Sequence, residues 1–372
     1  NSAYSRQGPS VGNVALRKQL LDNVINLFPE SIKNISNEKE RYQEYMKETV
    51  RLTAILTAKW NSLGFVHGVL NTDNMSVLGL TIDYGPYAFM EHFDPDFTPN
   101  GSDGGARYTY EKQAEITKWN CLKLAEALEA EINSNSEHIT AKSIVENNFD
   151  IFYNEEYHRI MRAKFGFFTE QPNDSELIAD FFHILAECHT DFNDSFQALT
   201  LYHETLTNAP ADSVDSSETV GADNLANRLV ERSASPSDII SSLKRKMKIH
   251  KVSMHPNQIM GLWEMLQTRP DDVREMFGGA PLDAVHNEIG SEKNKLDRLI
   301  YCSNEMERLQ GLSPTVKANE NRRRWEDWIK KYLARITIDN NHNTNTQITA
   351  VALQRRTNLM RANNPTFILR NW

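Results

Sequence analysis

Residues 67–86 read His67-Gly68-Val69-Leu70-Asn71-Thr72-Asp73-Asn74-Met75-Ser76-Val77-Leu78-Gly79-Leu80-Thr81-Ile82-Asp83-Tyr84-Gly85-Pro86, and the way this stretch turns decides the fold. Two polar bursts flank the apolar run Met75 to Ile82, interrupted by Ser76, Gly79 and Thr81. A short β-hairpin over that run returns its ends to one place and so brings Asn74 and Asp83 together. An amide oxygen beside a carboxylate is a hard-oxygen pair, which suits Mg²⁺ or Mn²⁺ rather than Zn²⁺. Gly85 is expected to permit a turn that points the Asp83 carboxylate inward. The same residues have a plainer reading, in which Asn71, Asp73 and Asn74 cap one turn and Asp83 another. On residue pattern both readings stand.

Upstream, apolar residues from Glu38 to Leu63 recur at helical spacing and become denser toward Trp60, which predicts a helix buried in its second half. Gly64 ends it and delivers the chain to His67, so the helix supports the polar loop. A first amphipathic helix is predicted over 14–28, stopped by Pro29, with 31–40 as loop. Downstream, 87–112 is irregular, but its aromatics imply that it packs down. A helix follows over 113–128. Beyond residue 130 the pattern predicts helices at 139–147, 149–165, 176–188, 191–205, 223–232, 237–248, 256–268, 270–277, 282–309 and 320–338. Residues 206–222 read as a linker, and the polar, Asn-rich 339–349 as a flexible insertion. The coarse division is 1–130, carrying the polar loops, and a helical 131–372.

The 372 residues are 40% hydrophobic and 24% charged, the composition of an ordinary globular chain. A net charge of −9 argues against a general nucleic-acid-coating role. The basic bursts Lys244-Arg245-Lys246 and Arg322-Arg323-Arg324 accordingly read as solvated helix faces. Trp325 and Trp328, three apart, read as one buried face. Cys121, Cys188 and Cys302 have neither metal-ligand nor disulfide-framework spacing and read as free thiols. His67 reads as structural, and His183 and His189, six apart, do not align on a helix as metal ligands. No segment has the length of a membrane span and none resembles a signal peptide. The chain starts at Asn1, without Met, and is read as part of a longer protein.

The motif at 67–86 resembles the selenoprotein O family, the YdiU-like proteins. The likeness continues through Phe93-Asp94-Pro95, Arg107-Tyr108-x-Tyr110, Gln113, Trp119-Asn120 and Lys123 to Leu128. It resumes at Asp191-Phe192-Asn193-Asp194-Ser195-Phe196, Trp325, Trp328, Asn363-Asn364-Pro365 and Leu369-Arg370-Asn371, and Gly8-Pro9-Ser10-Val11-Gly12 fits too. The resemblance implies a predominantly helical α+β fold: a protein-kinase-like C-terminal lobe with a short hairpin at the active site and a helical extension. It implies binding of ATP and transfer of AMP to Ser, Thr or Tyr hydroxyls of proteins. On it Asn74 and Asp83 look like ligands of Mg²⁺ or Mn²⁺ that hold the nucleotide, and Asp73 looks like the general base. Val69 stands where an ordinary kinase has its catalytic Asp, five residues before Asn74, which disfavours a kinase. The family's phosphate-holding Lys and Arg residues come from sequence upstream of this start, so the chain alone is expected to be inactive. The alternative is a non-catalytic regulatory or interaction module without an ATP-binding lobe. By resemblance the location is mitochondrial in a eukaryote and cytoplasmic in a bacterium.

Overall fold

The computed structural model describes residues 13–133, 139–208, 214–249, 251–341 and 350–365, so Gly8 to Gly12 and Leu369 to Asn371 lie outside the described residues. The chain forms two compact units, one of residues up to Tyr87 with Glu111–Ile160, the other of Ala88–Tyr110 with residues from Met161 onward. Helix predominates in both. The strands among the described residues are two residues long: β1 (Phe65–Val66), β2 (Met75–Ser76), β3 (Leu80–Thr81) and β4 (Ala88–Phe89).

In the first unit, α1 (Val14–Ile25) is followed by α2 (Glu30–Lys33), a single turn where loop is predicted. The central element is α3 (Glu38–Ser62), whose start is fixed by Asn37, which accepts the backbone N–H groups of Lys39 and Glu40. Tyr42, Met46, Val50, Ala54 and Ala58 fall every fourth residue and are almost wholly buried, so one stripe of α3 faces the core. Against it pack α4 (Gln113–Ala127), through Cys121 and Ala125, and α5 (Glu129–Ile132), through Ile132. The positions read as two helices at 139–147 and 149–165 form one, α6 (Ala141–Phe165). Asn148 does not break it, because its side-chain amide donates back to Ile144 O (2.7 Å) while Phe149 is buried beside it.

In the second unit, α7 (Asp174–Cys188), α8 (Phe192–Thr207), α9 (Val214–Glu231) and α14 (Pro314–Asn341) enclose an aromatic core, with α10 (Pro236–Ile249), α11 (Pro256–Thr268), α12 (Pro270–Met276) and α13 (Leu282–Gln310) between them in sequence. Phe181 lies 4.8 Å from the Trp328 ring and 5.0 Å from that of Phe165, and Trp325 and Trp328 are buried as read from their spacing. The Arg322 and Arg324 guanidiniums pair with Glu326 and Glu187. The three cysteines are free and buried. Within 88–110, Phe93 and Tyr110 are buried, as expected for a loop that packs down.

Two further expectations fail here. The reading of 206–222 as a linker is corrected by α9, which begins at Val214. Its Ser- and acid-rich start has the composition of a loop, but such residues also suit a helix N-terminus, and Leu225, Ala226 and Leu229 anchor the later turns. The proposed insertion at 339–349 is corrected at its start, because α14 continues to Asn341. Asp339 is buried, accepting Phe168 N (2.8 Å), Thr169 Oγ1 (2.5 Å) and Arg335 Nη1 (2.9 Å). Residues 342–349 lie outside the described residues. A helix absent from the pattern, α15 (Ala350–Asn363), buries Leu353, Arg356, Thr357 and Met360, and Arg356 donates to Gly166 O (2.9 Å).

Among the described residues no helix is long and apolar enough to cross a membrane.

Candidate active site

The chain leaves α3 through Gly64, whose φ of +69° is the left-handed conformation that ends a helix without strain for glycine. Two amides on α4 then fix the loop. Gln113, fully buried, donates to Phe65 O (2.9 Å) and Asn61 Oδ1 (2.7 Å) and accepts His67 N (2.9 Å). Asn120, seven residues on and so on the same helix face, donates to Leu70 O (3.1 Å). The backbone from Phe65 to Leu70 is thereby tied to a rigid element at both ends.

A single 3₁₀ turn over Thr72–Asn74 leads into β2, which pairs antiparallel with β3: Met75 opposite Thr81, Ser76 opposite Leu80. Three residues, Val77, Leu78 and Gly79, close the hairpin. Gly79 N donates to Ser76 O (3.2 Å) and Gly79 has φ +66°, the type I turn plus left-handed glycine common to three-residue hairpins. Past the pairs, Ile82 N donates to Asn74 O (2.9 Å), so Asn74 and Asp83 stand at the open end of one hairpin. The hairpin expected from sequence is present.

Thr81 and His67 tie that open end together. The Val69 N–H donates to His67 Nδ1 (3.4 Å), which places the ring proton on Nε2, and Nε2 donates to Thr81 Oγ1 (2.6 Å). The Thr81 hydroxyl proton is then shared by Asn74 O and Asp83 O, each 3.1 Å away. Burial pushes the His67 imidazole below its ordinary pKa, and the Asp83 carbonyl and carboxylate, which favour the cation, do not reverse this. A neutral ring suits its role, because a protonated Nδ1 could not accept from Val69. Tyr84 stacks on the ring (5.8 Å between centroids, planes at 29°), and Phe65 meets Tyr84 edge-on at 6.0 Å.

Asn74 Nδ2 donates to Val69 O (2.9 Å), which turns Oδ1 away from that carbonyl. Among the described residues, no hydrogen bond or ion pair engages Asn74 Oδ1 or the carboxylates of Asp73 and Asp83. Asp73 and Asp83 are exposed and Asn74 half-buried. The idea that Gly85 aims the Asp83 carboxylate inward is corrected: Asp83 is exposed, and Gly85 has no left-handed φ. The left-handed glycines of the motif are Gly68 (φ +79°) and Gly79 (φ +66°). Among the described residues no three His, Cys, Asp or Glu side chains cluster as a metal cage. The available donors are oxygens, few in number, which fits a cation such as Mg²⁺ that keeps waters and takes substrate phosphate oxygens as further ligands.

Thr81, Gln113 and Asn120 were not identified as positioning residues by sequence reasoning. The seven-residue spacing of two amides on the helix after the loop is the signal that could have found the last two.

A sequence model described as "Protein adenylyltransferase SelO" matches residues 10–372. The chain belongs to this SelO family. The mouse mitochondrial protein adenylyltransferase SelO is 35% identical over 375 residues, covering 99% of this chain and 50% of that protein. The human mitochondrial protein is 33% identical over 371 residues, with 99% and 50% covered. The protein nucleotidyltransferase YdiU of Vibrio cholerae is 40% identical over 184 residues, 49% of this chain and 36% of that protein. The chain thus spans about half the length of the mammalian SelO proteins it matches.

Proposed function

We propose that this SelO-family chain forms the kinase-like C-terminal lobe, with its helical extension, of a protein adenylyltransferase. In this reading residues 1–130 carry the metal and catalytic loops and 131–372 are the helical remainder. The whole protein transfers AMP from ATP to Ser, Thr or Tyr hydroxyls of protein substrates. The hydroxyl oxygen forms a bond to the α-phosphorus, the α–β bridging P–O bond breaks, and pyrophosphate leaves. Asp73 takes the hydroxyl proton as general base. Asn74 Oδ1 and the Asp83 carboxylate hold Mg²⁺ or Mn²⁺ with the nucleotide. The cation, when bound, neutralises phosphate oxygens and so favours attack on phosphorus.

One observation carries the reading: in a chain matched by the family over residues 10–372, the hairpin holds Asn74 and Asp83 at its open end with their side-chain oxygens unengaged among the described residues. No nucleic-acid partner is proposed. The mouse and human relatives are named as mitochondrial, and the same location is proposed here if the source is eukaryotic, a cytoplasmic one if it is bacterial.

The test is made on the whole gene product with Mg²⁺ and a protein acceptor, comparing ATP labelled at the α- or the γ-phosphate. Label from the α-position and a mass increment of AMP support adenylyl transfer. Label from the γ-position identifies an ordinary kinase and overturns it, and neither label with no nucleotide binding favours a non-catalytic module. Asp73→Ala is expected to lower kcat by about 10²–10⁴-fold with little change in nucleotide affinity. Asp83→Ala is expected to abolish the Mg²⁺-dependent part of that affinity, and unchanged affinity would refute its role as ligand.

A further inference from the structure

The basic burst Lys244-Arg245-Lys246 lies on α10 and lines a pocket of about 850 Å³ made wholly of second-unit residues. Ile239 and Leu243 bury one face of α10 in an apolar cluster with Cys302 and Leu309, and Lys244, Arg245 and Lys248 are left exposed. Residues 91–97 and His189 supply much of the remaining lining. Charge in the pocket is unevenly matched. Lys246 is neutralised by Asp94, and Asp238 accepts the Ser235 hydroxyl (2.6 Å). Glu91 adds a third carboxylate. Lys244, Arg245 and Lys248 have no ion pair among the described residues. Four cations (Lys244, Arg245, Lys246, Lys248) against three carboxylates (Glu91, Asp94, Asp238) leave this pocket positive in a chain of net charge −9.

Neutral donors line the pocket too. The Ser241 hydroxyl is committed to Ser237 O (2.8 Å), but the Ser242 hydroxyl and the His92 and His189 rings have no hydrogen-bond partner among the described residues. All three residues are half-buried and their polar atoms are not sealed from solvent, so a ligand can reach them. His189 is the most telling. It caps the C-terminus of α7 at φ +51° and ψ +49°, the left-handed conformation for which glycine is the usual residue. Its backbone is held there, with its N–H donating to Ala186 O (3.3 Å) and its carbonyl accepting Ala234 N (2.9 Å). A side chain kept at a glycine position, its ring unpaired on a pocket wall, is strain of the kind that collects at ligand sites. Burial lowers the imidazole pKa to about 4, with Asp94 and Glu305 favouring the cation and Lys317 and Lys246 opposing it. At neutral pH the ring is therefore uncharged and offers one N–H. We propose that this pocket binds a small anion carrying at least two phosphate or carboxylate groups. Lys244, Arg245 and Lys248 meet its charges, and the His189 N–H and the Ser242 hydroxyl donate to its inner oxygens. The volume falls within the roughly 300–1,000 Å³ of small-molecule sites. The proposal concerns binding in the second unit and does not depend on the transfer reaction.

The probes are pyrophosphate and citrate, titrated by calorimetry into the full chain with EDTA present, so that no anion is held through a cation at Asn74 and Asp83. At least one is expected to bind saturably, and more weakly as salt is added. The tighter of the two names the head group, and equal affinity means that charge alone selects. The Lys244→Ala, Arg245→Ala double variant is expected to bind at least about tenfold more weakly, because charge-assisted hydrogen bonds are lost. His189→Gly, which suits the left-handed backbone, is expected to bind about fivefold more weakly while cooperative unfolding is retained. Lys330→Ala, at an exposed lysine of α14, is expected to bind as the parent does. No saturable binding of either probe, an unweakened double variant, an equal loss in Lys330→Ala, or a folded His189→Gly chain that binds like the parent would each overturn the proposal. The double variant removes only exposed side chains and so decides the matter even if His189→Gly does not fold.

Discussion

Replacing Gly79 by alanine should damage the hairpin far more than the same change at Gly85, six residues away in the same motif. The turn places Gly79 at φ +66°, where an L-residue with a Cβ pays about 1–2 kcal/mol. A Cβ there would also lie 2.6 Å from Leu52 Cβ and 2.8 Å from both Leu52 C and O, in the backbone of α3. Leu52 sits mid-helix and its backbone cannot yield, so the hairpin tip must lift off at an overpacking cost of about 1–3 kcal/mol. The sum is about 2–5 kcal/mol. At Gly85 the φ is not left-handed and the nearest atom to an added Cβ is Asp83 Oδ2 at 3.9 Å, so the cost should stay within about 0.5 kcal/mol. Urea unfolding of the two variants beside the parent measures both, and hydrogen exchange at Ile82 reports the hairpin directly. Asn at position 79 tolerates the left-handed backbone but keeps the clash, so Gly79→Asn should recover about 1 kcal/mol of the alanine penalty. If Gly79→Ala costs no more than Gly85→Ala, the hairpin does not rest on α3 through this glycine and the account of how the site is positioned is wrong.

Two further outcomes concern the second unit. Burial pushes the Lys164 ammonium down to about 7, with its Nζ over the Phe196 ring at 4.1 Å, so between about pH 7 and 10 the unfolded chain binds the proton that the folded chain has released. Folding stability should therefore rise with pH across that window, by up to about 1.4 kcal/mol per pH unit from this group, and Lys164→Met should flatten the slope in urea titrations at successive pH values. Asp339→Ala should cost about 3–5 kcal/mol in chemical denaturation, because it leaves the buried Arg335 and Arg356 short of a counter-charge. Burial alone would raise the Asp339 carboxyl, but hydrogen bonds from Thr169, Phe168 and Arg335 outweigh it and hold the pKa low. Asp339→Asn, which keeps an acceptor, should be milder, and an equal loss for both would show that charge rather than hydrogen bonding dominates.

What could be read from the sequence differs in kind from what could not. The hairpin was legible because alternating polar bursts around an apolar run specify a turn locally, and the burial of α3 was legible because Tyr42 to Ala58 repeat every fourth residue. Local pattern was a poorer guide where polar residues do the packing. The buried Asp339 accepts from Phe168 and Thr169 and the buried Arg356 donates to Gly166 O, partners distant in sequence, so α14 was read as ending early and α15 was not read at all. At the site the same limit applies one level down. The two polar bursts announced Asn74 and Asp83, but nothing local distinguishes Thr81, whose hydroxyl joins the Asn74 and Asp83 carbonyls to His67. Nor does local pattern separate the strained Gly79 from the unstrained Gly85, since what differs is the backbone of α3 beneath one of them. The residues that present the oxygens are written in the motif, and the residues that hold them still are written in the helices packed behind it.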